Sequence, residues 1–299
     1  MASQRGSKLN QIQQLVPEGL VVDAAWLDRH GFTHPLRQKY VAHGWLVSLA
    51  RGVYQRPAAR LGTQDAADVL DWERVLLSLQ TLLDVGVSVG GRTALEVHGL
   101  AHYLPASNIR EVHLYTREAL PGWLAKIPVN ARFVVHNPDR LLASPGRGLD
   151  SVMRTVVTGS GEQDLAPPSD VTQEDSDTTL RWGHWRWPLT LSTPERAVLE
   201  LLDELPRRES FDQVDALFSG LGVVLPRRMQ RLLEACRSIK VKRLFLFFAD
   251  RHNHAWSKQL DRTRIDLGRG KRLLAVGGKL DPKYQITVPE SLLQPSGDF

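Results

Sequence analysis

Seven polar and basic side chains between residues 33 and 56 have the types and spacing to contact nucleic acid. They are Thr33, His34, Arg37, Gln38, Lys39, Arg51 and Arg56. Arg and Gln can pair bidentately with guanine and adenine edges, whereas Lys and wing residues bind phosphates. A helical wheel places Arg37 between Leu36 and Val41, at the core boundary, and favours His34 and Gln38 for bases and Lys39 for phosphate. The sequence therefore predicts a DNA-binding surface here.

The elements that would position these residues are three short helices and a hairpin. Apolar spacing predicts a first helix over 9–16 and a second over 22–30. Gly31 then suits a turn, and Thr33 can cap a third helix with Pro35 in its first turn. Residues 45–57 read as a two-stranded wing with Gly52 at its tip. We predict a winged helix-turn-helix domain over 1–62, and the alternative is a winged helix that binds protein or dimerises.

Charge is distributed unevenly along the chain. The 299 residues contain 38 Lys+Arg and 33 Asp+Glu, a formal net charge of +5. Residues 1–62 carry a net +5, residues 63–224 a net −9 and residues 225–272 a net +10. Such asymmetry indicates a polyanion-binding face at one or both ends. In the second basic region, one set of arginines lies off an apolar helical stripe: Arg227, Arg228, Arg231 and Arg237. They form a possible second basic surface, or simply solvate a helix.

Residues 63–299 are predicted to form one larger C-terminal domain of mixed helices and strands, of either the α+β or the α/β class. Helices are predicted over 72–85 and 92–98, and strands over 111–116, 132–136 and 186–191. A capping box at Ser192 to Glu195 would open a helix running through Leu205. The polar stretch 158–178 is expected to be a mobile loop. Trp182, Trp185 and Trp187 could stack nucleobases, although core filling is the favoured interpretation.

Signals for catalysis are poor. Asp281-Pro282-Lys283 has the order of an acidic-x-Lys nuclease element, but proline disfavours it inside a central strand. His252 with His254, and His98 with His102, lack accompanying ligands at metal-binding spacing, and Cys236 lies on an apolar stripe. We predict no catalytic residue, no metal site and no cofactor. A single Cys and the lack of a long apolar segment lead us to expect a cytoplasmic protein with no membrane partner.

Several blocks together resemble the AbiEi family, the antitoxins of type IV toxin-antitoxin systems. The blocks are residues 44–46 and 50–54 at the wing, 91–100, 192–197, 201–205, 241–245 and 279–289. The resemblance implies an N-terminal domain that binds inverted repeats of double-stranded DNA in its own promoter and represses its operon. It also implies a C-terminal domain that counteracts a cognate nucleotidyltransferase-like toxin, directly or indirectly.

Three functional hypotheses remain distinct at this point. The first is a non-enzymatic autorepressor and antitoxin. The second is a nuclease-like enzyme targeted to nucleic acid by the winged helix, which would depend on Asp281. The third is an interaction module that uses the basic 225–272 region to hold RNA or an acidic protein partner.

Overall fold

The computed structural model describes residues 2–58, 69–100, 110–142, 152–158, 180–181, 187–222 and 224–293. The N-terminal unit contains three helices and a three-stranded antiparallel sheet with strand order β1-β3-β2. Its elements in chain order are α1 (Ala2–Leu15), β1 (Val21–Asp23), α2 (Ala24–Arg29), α3 (His34–Ala42), β2 (Val47–Ala50) and β3 (Val53–Gln55). This order of helices, turn and hairpin is that of a winged helix-turn-helix.

The second helix is shorter than the sequence predicts. Val21–Asp23 pairs with Val53–Gln55 as a strand, so α2 begins only at Ala24. Asp23 caps this helix, and its Oδ1 accepts the amide N–H of Trp26 at 2.7 Å. The start of α3 agrees with the prediction, because Thr33 occupies the extended N-cap position and Pro35 lies in the first turn. Side-chain capping thus marks the start of α2, whereas Thr33 makes no side-chain capping bond and the proline in the first turn favours the start of α3.

The N-terminal unit has its own apolar core and also contacts the rest of the chain. This core contains Ile12, Val16, Val22, Trp26, Leu27, Phe32, Tyr40, Leu46 and Tyr54. Leu82 and Leu83, from beyond the unit, pack against it. The amide N–H of Val21 donates to the Ser78 hydroxyl at 2.8 Å. The winged helix is thus fixed to the chain that follows by both apolar packing and a buried hydrogen bond.

The C-terminal part is built on a six-stranded mixed sheet. Its strand order is β6-β5-β4-β9-β7-β8, with parallel and antiparallel neighbours. The elements are α4 (Trp72–Leu77), β4 (Val87–Val89), α5 (Gly91–Val97), β5 (Arg110–Thr116), β6 (Ala131–His136), β7 (Val152–Thr158), β8 (Leu180–Arg181) and β9 (Trp187–Ser192). The mixture of helices with a partly antiparallel sheet makes the chain α+β. The predicted helix over 72–85 instead changes at Ser78 into a π-helical turn, Ser78–Leu82.

Four helices and a hairpin complete the fold. They are α6 (Pro194–Asp203), α7 (Phe211–Ser219), α8 (Pro226–Ala235), α9 (Ile239–Arg251), β10 (Lys279–Asp281) and β11 (Ile286–Val288). Residues 241–249 of α9 are all buried, which explains their dense apolar character. Among the described residues, no helix has the length and apolarity needed to cross a membrane.

The capping box expected at Ser192 to Glu195 is wrong in detail. Thr193 is the N-cap of α6, and its hydroxyl accepts the amide N–H of Arg196. The Glu195 carboxylate instead turns toward α8, where Oε1 accepts the amide N–H of Leu225 at 2.8 Å. A buried carboxylate at a helix N-terminus neutralises the positive end of the helix dipole. Glu195 therefore links α6 to α8 rather than closing its own helix.

Candidate nucleic-acid interface

The exposed face of α3 presents the polar side chains that DNA recognition requires. Thr33, His34, Gln38 and Lys39 are all exposed. His34 and Gln38 are four residues apart, so they lie on one face of the helix about one turn from each other. In a helix-turn-helix the second helix lies in the major groove, with its N-terminal residues at the base edges. The two side chains favoured for base contacts thus share the outward surface of the helix in that position.

Arg37 faces the interior, unlike its neighbours. Its residue exposure is 5%, and one guanidinium nitrogen donates to the carbonyls of Phe32 at 2.9 Å and Ala24 at 3.3 Å. The same nitrogen also binds the Asp28 carboxylate. Since these acceptors come from α2 and the turn, Arg37 joins the two helices of the motif. The contacts of Arg37 within the described residues therefore position the helix-turn-helix itself.

Arg51 is exposed at the tip of the wing. Arg51 is exposed between β2 and β3, and no hydrogen bond or ion pair of its side chain is found within the described ranges. Gly52 beside it has φ +76°, a left-handed conformation that favours glycine. The Gly52 carbonyl accepts the amide N–H of Ala24 at 2.7 Å, which fixes the tip to the start of α2. Arg51 therefore extends from a fixed turn, suited to a phosphate contact.

Arg56 is engaged within the protein. Its guanidinium donates to the carbonyls of Gln13 at 2.6 Å and Val16 at 2.9 Å, and to the Glu18 carboxylate at 3.0 Å. The first two acceptors lie at the C-terminal end of α1, where helical carbonyls lack intrahelical partners. Its side chain is 19% exposed. Arg56 thus caps α1, and its guanidinium is bound to acceptors within the protein.

Sequence reasoning missed an aromatic group at the end of α3. The Trp45 ring lies 5.3 Å from the Tyr40 ring and 5.3 Å from the His43 ring, measured between centroids. Trp45 is 37% exposed and the following Val47 is 41% exposed. Trp45 therefore packs the start of the wing onto the helix while leaving apolar surface outside. The signal for this packing in the sequence was the position of Trp45 directly after Gly44.

The four arginines predicted as a second basic surface do not act together. Arg227 and Arg231 line a groove of about 630 Å³ with Arg264, Glu234 and Asp261. Arg228 turns to the buried Glu195 carboxylate at 3.4 Å. Arg237 donates to the Asp139 carbonyl at 3.0 Å, away from that groove. The groove mixes three cations with two carboxylates, so its field is weaker than the segment's net charge suggests.

A polar cluster of buried His113 and partly buried His136 and Glu204 joins β5, β6 and the end of α6. His113 Nδ1 and His136 Nε2 are 3.0 Å apart, and His136 Nδ1 lies 3.4 Å from Glu204 Oε1. These three side chains have ligand atoms within 4.8 Å of one another and could hold a metal ion. However, the two imidazole planes are only 5° apart, with centroids separated by 5.2 Å, so the nitrogens face each other edge to edge. That geometry is a hydrogen-bonded chain rather than a converging ligand set.

Burial sets the protonation of this cluster. It lowers the pKa of His113 to about 3, with the neighbouring His136, Arg92 and Arg208 acting in the same direction. The pKa of His136 is also lowered, chiefly by burial. A neutral imidazole carries one N–H, so at the 3.0 Å contact one of the two facing nitrogens donates and the other accepts. The other ring nitrogen of His113, Nε2, is buried and has no hydrogen-bond partner among the described residues.

The other sequence candidates for chemistry have structural partners. Asp281 Oδ1 accepts the amide N–H of Tyr284 at 2.6 Å, as in a turn, and Lys283 binds Asp250. The His252 ring bonds Asp215 at 2.7 Å, and the His98 ring bonds the Ser192 carbonyl at 2.9 Å. Cys236 is buried at the end of α8, and burial raises the pKa of its thiol to about 11. None of these arrangements brings a nucleophile, a base and an open cleft together within the described part of the chain.

Some predictions lie outside the described residues. The expected mobile loop 158–178 does so except for Thr158, the last residue of β7. His102, Trp182 and Trp185 also lie outside, and only the backbone of Trp187 is described, at the start of β9.

Comparisons with known proteins cover nearly the whole chain. Residues 110–289 match the family model described as a transcriptional regulator, AbiEi antitoxin, of a type IV toxin-antitoxin system. Residues 5–106 match the model for the N-terminal domain of AbiEi antitoxin transcriptional regulators. Among solved structures, the RV2827C protein from Mycobacterium tuberculosis matches with a TM-score of 0.52 and 14% identity, covering 95% of this chain and 92% of that one. At that identity the likeness shows the fold alone. A search of curated proteins found no match.

Proposed function

Because this chain belongs to the AbiEi family of type IV antitoxin transcriptional regulators, we propose that its winged helix binds inverted repeats in its own promoter and represses the operon. The observation that carries this proposal is the set of exposed side chains His34, Gln38 and Lys39 on α3. Next to them lies a wing whose Arg51 side chain has no hydrogen bond or ion pair within the described residues. The helix supplies base contacts and the wing supplies a phosphate contact.

We propose different roles for the seven predicted residues. Thr33, His34, Gln38, Lys39 and Arg51 contact DNA. Arg37 and Arg56 hold the motif together, Arg37 by joining α2 to α3 and Arg56 by capping α1. A fixed helix loses little conformational freedom when it enters the groove, so these internal contacts raise affinity indirectly.

We further propose that residues 63–299 form the antitoxin domain, which counteracts a nucleotidyltransferase-like toxin without enzymatic activity of its own, in the cytoplasm. Family membership supports the regulatory and antitoxin roles. The internal hydrogen bonds of Asp281 and His252 and the burial of Cys236 favour this proposal over a nuclease-like enzyme.

Two cellular readouts test the two halves separately. A reporter driven by the operon's promoter should be repressed by the wild type and derepressed by Gln38→Ala or Arg51→Ala, whereas Lys126→Ala, which removes an exposed cation from the C-terminal domain, should repress normally. The same DNA-binding variants, expressed from an unrelated promoter, should still rescue growth from the cognate toxin. Equal repression by all variants would contradict the DNA assignment, and failed rescue by the wild type would contradict the antitoxin assignment.

A further inference from the structure

The wing sheet, formed by β1, β2 and β3, shares an apolar core with the C-terminal part of the chain. Leu20, Val21 and Val53 belong to the apolar cluster that forms the C-terminal core, and Leu49 and Ala50 pack against that cluster. No residue of α2 or α3 belongs to it within the described ranges. The C-terminal part therefore supports the wing sheet rather than α3.

The residues on either side of the wing tip are held at this shared core. Ala50 precedes Arg51, and the fully buried Val53 follows Gly52. Because only Arg51 and Gly52 separate β2 from β3, the position of Arg51 depends on its two held neighbours. A cation on a held turn loses little conformational freedom when it meets a phosphate.

One buried hydroxyl makes a polar contact between the wing sheet and the C-terminal part. Ser78 is fully buried, and its hydroxyl oxygen accepts the amide N–H of Val21 at 2.8 Å while donating to the Arg74 carbonyl at 2.7 Å. β1 is an outer strand of the wing sheet, so alternate amides point away from the sheet and need an acceptor elsewhere. A buried amide without an acceptor costs free energy. Ser78 thus completes the outer edge of β1.

The π-helical turn that carries Ser78 is fixed to the six-stranded sheet. The side-chain amide of Gln80 donates to the carbonyls of Val87 at 2.9 Å and Thr190 at 3.0 Å, and its oxygen accepts the amide N–H of Thr190 at 2.9 Å. Val87 lies in β4 and Thr190 in β9. Residues two apart in a helical turn do not face each other. The turn therefore contacts the wing sheet through Ser78 and the six-stranded sheet through Gln80.

A second contact lies at the entry to β1. An added Cβ at Gly19 would lie 2.4 Å from Nη1 of Arg74, so this side chain of α4 lies directly against the Gly19 backbone. Gly19 also donates its amide N–H to the Arg56 carbonyl at 2.8 Å, and its carbonyl accepts from the Gln55 side chain at 3.0 Å. α4 and the π-helical turn thus both contact the segment that leads into β1.

We propose that Ser78 is a positioning residue for DNA binding, which holds the wing sheet against the C-terminal part so that Arg51 meets a phosphate. The inference rests on the proposed function of the wing. Ser78 sets where the wing tip lies and does not itself contact DNA. Because α3 belongs to the separate apolar core of the N-terminal unit, loss of the Ser78 hydroxyl should remove the contribution of the wing and leave base recognition by α3 intact.

Hydrogen exchange of the full chain without DNA tests the positioning role. Ser78→Ala leaves the Val21 amide without its acceptor, so amides of the wing sheet should exchange at least about fivefold faster. Amides of α3, β4 and β9 should keep their protection, which separates displacement of the wing from a general loss of stability. The matched control is Thr81→Ala, which removes a hydroxyl of the same turn that donates to the Leu77 carbonyl in the same helical segment. Ser78→Thr retains a hydroxyl and should keep the wing sheet protected.

The salt dependence of binding to a random-sequence duplex tests the consequence for DNA. One phosphate contact contributes about 0.9 to the slope of log affinity against log salt, so Arg51→Ala should reduce the magnitude of that slope by about this amount. Beside Ser78→Ala, Arg51→Ala should change the slope little, because the wing tip no longer meets the phosphate. Beside Thr81→Ala, Arg51→Ala should keep its full effect. Phosphate contacts carry no sequence information, so the preference of Ser78→Ala for the promoter repeats over a scrambled duplex should stay within about twofold of the wild-type preference.

Three results would overturn the proposal. They are unchanged exchange of the wing sheet in Ser78→Ala, an equal loss of protection in Ser78→Thr, and a full effect of Arg51→Ala on the slope beside Ser78→Ala. Failure of the proposed function gives a different result, because Arg51→Ala then leaves the slope of the otherwise wild-type chain unchanged. In that case faster exchange of the wing sheet in Ser78→Ala still supports the role of Ser78 in holding the wing.

Discussion

The guanidinium of Arg37 on α3 binds the carboxylate of Asp28 on α2, and the same nitrogen reaches the carbonyls of Phe32 and Ala24. One side chain therefore holds both helices of the helix-turn-helix and the turn between them. Asp28 remains 57% exposed on its side chain, so the pair lies at the surface of the core, with the cation inside and the anion outside. The contact therefore links α2, the turn and α3.

Replacing Arg37 with Ala should loosen the helix-turn-helix. Hydrogen bonds to charged groups contribute about 2 kcal/mol, so amide protection in α2 and α3 should fall about 30-fold in hydrogen exchange of the full chain. Arg37→Lys should restore only part of this, because an ammonium lacks the guanidinium's planar array of donors. Lys39→Ala, at an exposed neighbouring position, is the control. Protection that is unchanged in Arg37→Ala would show that the contact does not hold the motif together.

Gly90→Ala should severely destabilise the C-terminal domain. A Cβ at this position would lie 2.3 Å from Glu200 Oε2 and 2.4 Å from the Tyr115 ring. Overpacking of this kind costs about 1–3 kcal/mol or more. Gly122→Ala, where an added Cβ meets nothing within 4 Å, should be close to neutral. Urea unfolding of both variants compares them directly, and equal midpoints would contradict the close packing of Gly90 against Glu200 and Tyr115.

The buried His113–His136 pair should make the protein less stable in mild acid. The folded-state pKa of His113 is about 3, below its ordinary value of 6.5, so the folded state resists protonation. The associated stability is present above pH 6.5 and is lost as pH falls toward 3, by at most about 1.4 kcal/mol per pH unit for each proton. His136 acts in the same direction because burial also lowers its pKa.

His113→Gln removes one of these titrations and should flatten the dependence of unfolding free energy on pH in this range. Urea titrations of the wild type and the variant at matched pH values give the two slopes. Parallel slopes would mean that His113 is not a buried neutral imidazole in the folded protein. Asp250 provides a reference for this comparison, because its ion pairs lower its pKa to about 2. The loss of stability from protonating Asp250 therefore occurs at more acidic pH than the loss from His113 begins.

The sequence predicted α3 and the wing because their signals are local. Gly31, Thr33 and Pro35 mark the turn and helix start within five residues, and Arg51 and Gly52 mark the hairpin tip. The helical wheel placed Arg37 at the core boundary, but its acceptors could not be predicted in the same way, because they belong to another helix and a turn. Val22 and Asp23 of strand β1 were predicted as helix because the partner strand, β3, lies about thirty residues away and the three residues of β1 carry no alternating pattern.

Long-range contacts also explain what the sequence missed in the C-terminal domain. His113, His136 and Glu204 meet only because β5 and β6 pair in parallel and α6 ends beside them. The net +10 of residues 225–272 suggested one basic surface over Arg227, Arg228, Arg231 and Arg237. In the structure, carboxylates and carbonyls engage Arg228 and Arg237, whereas Arg269, Lys271 and Arg272 are exposed and have no ion pair within the described residues.

The most direct test of the central claim is binding of the full chain to its promoter repeats, compared with a scrambled duplex at the same salt concentration. We expect the wild type to prefer the repeats. Gln38→Ala should reduce this preference by about ten- to a hundredfold, because one bidentate base pairing is removed. Arg51→Ala should weaken binding to both duplexes equally. A wild type with no preference, or equal effects of the two substitutions on both duplexes, would contradict the central claim.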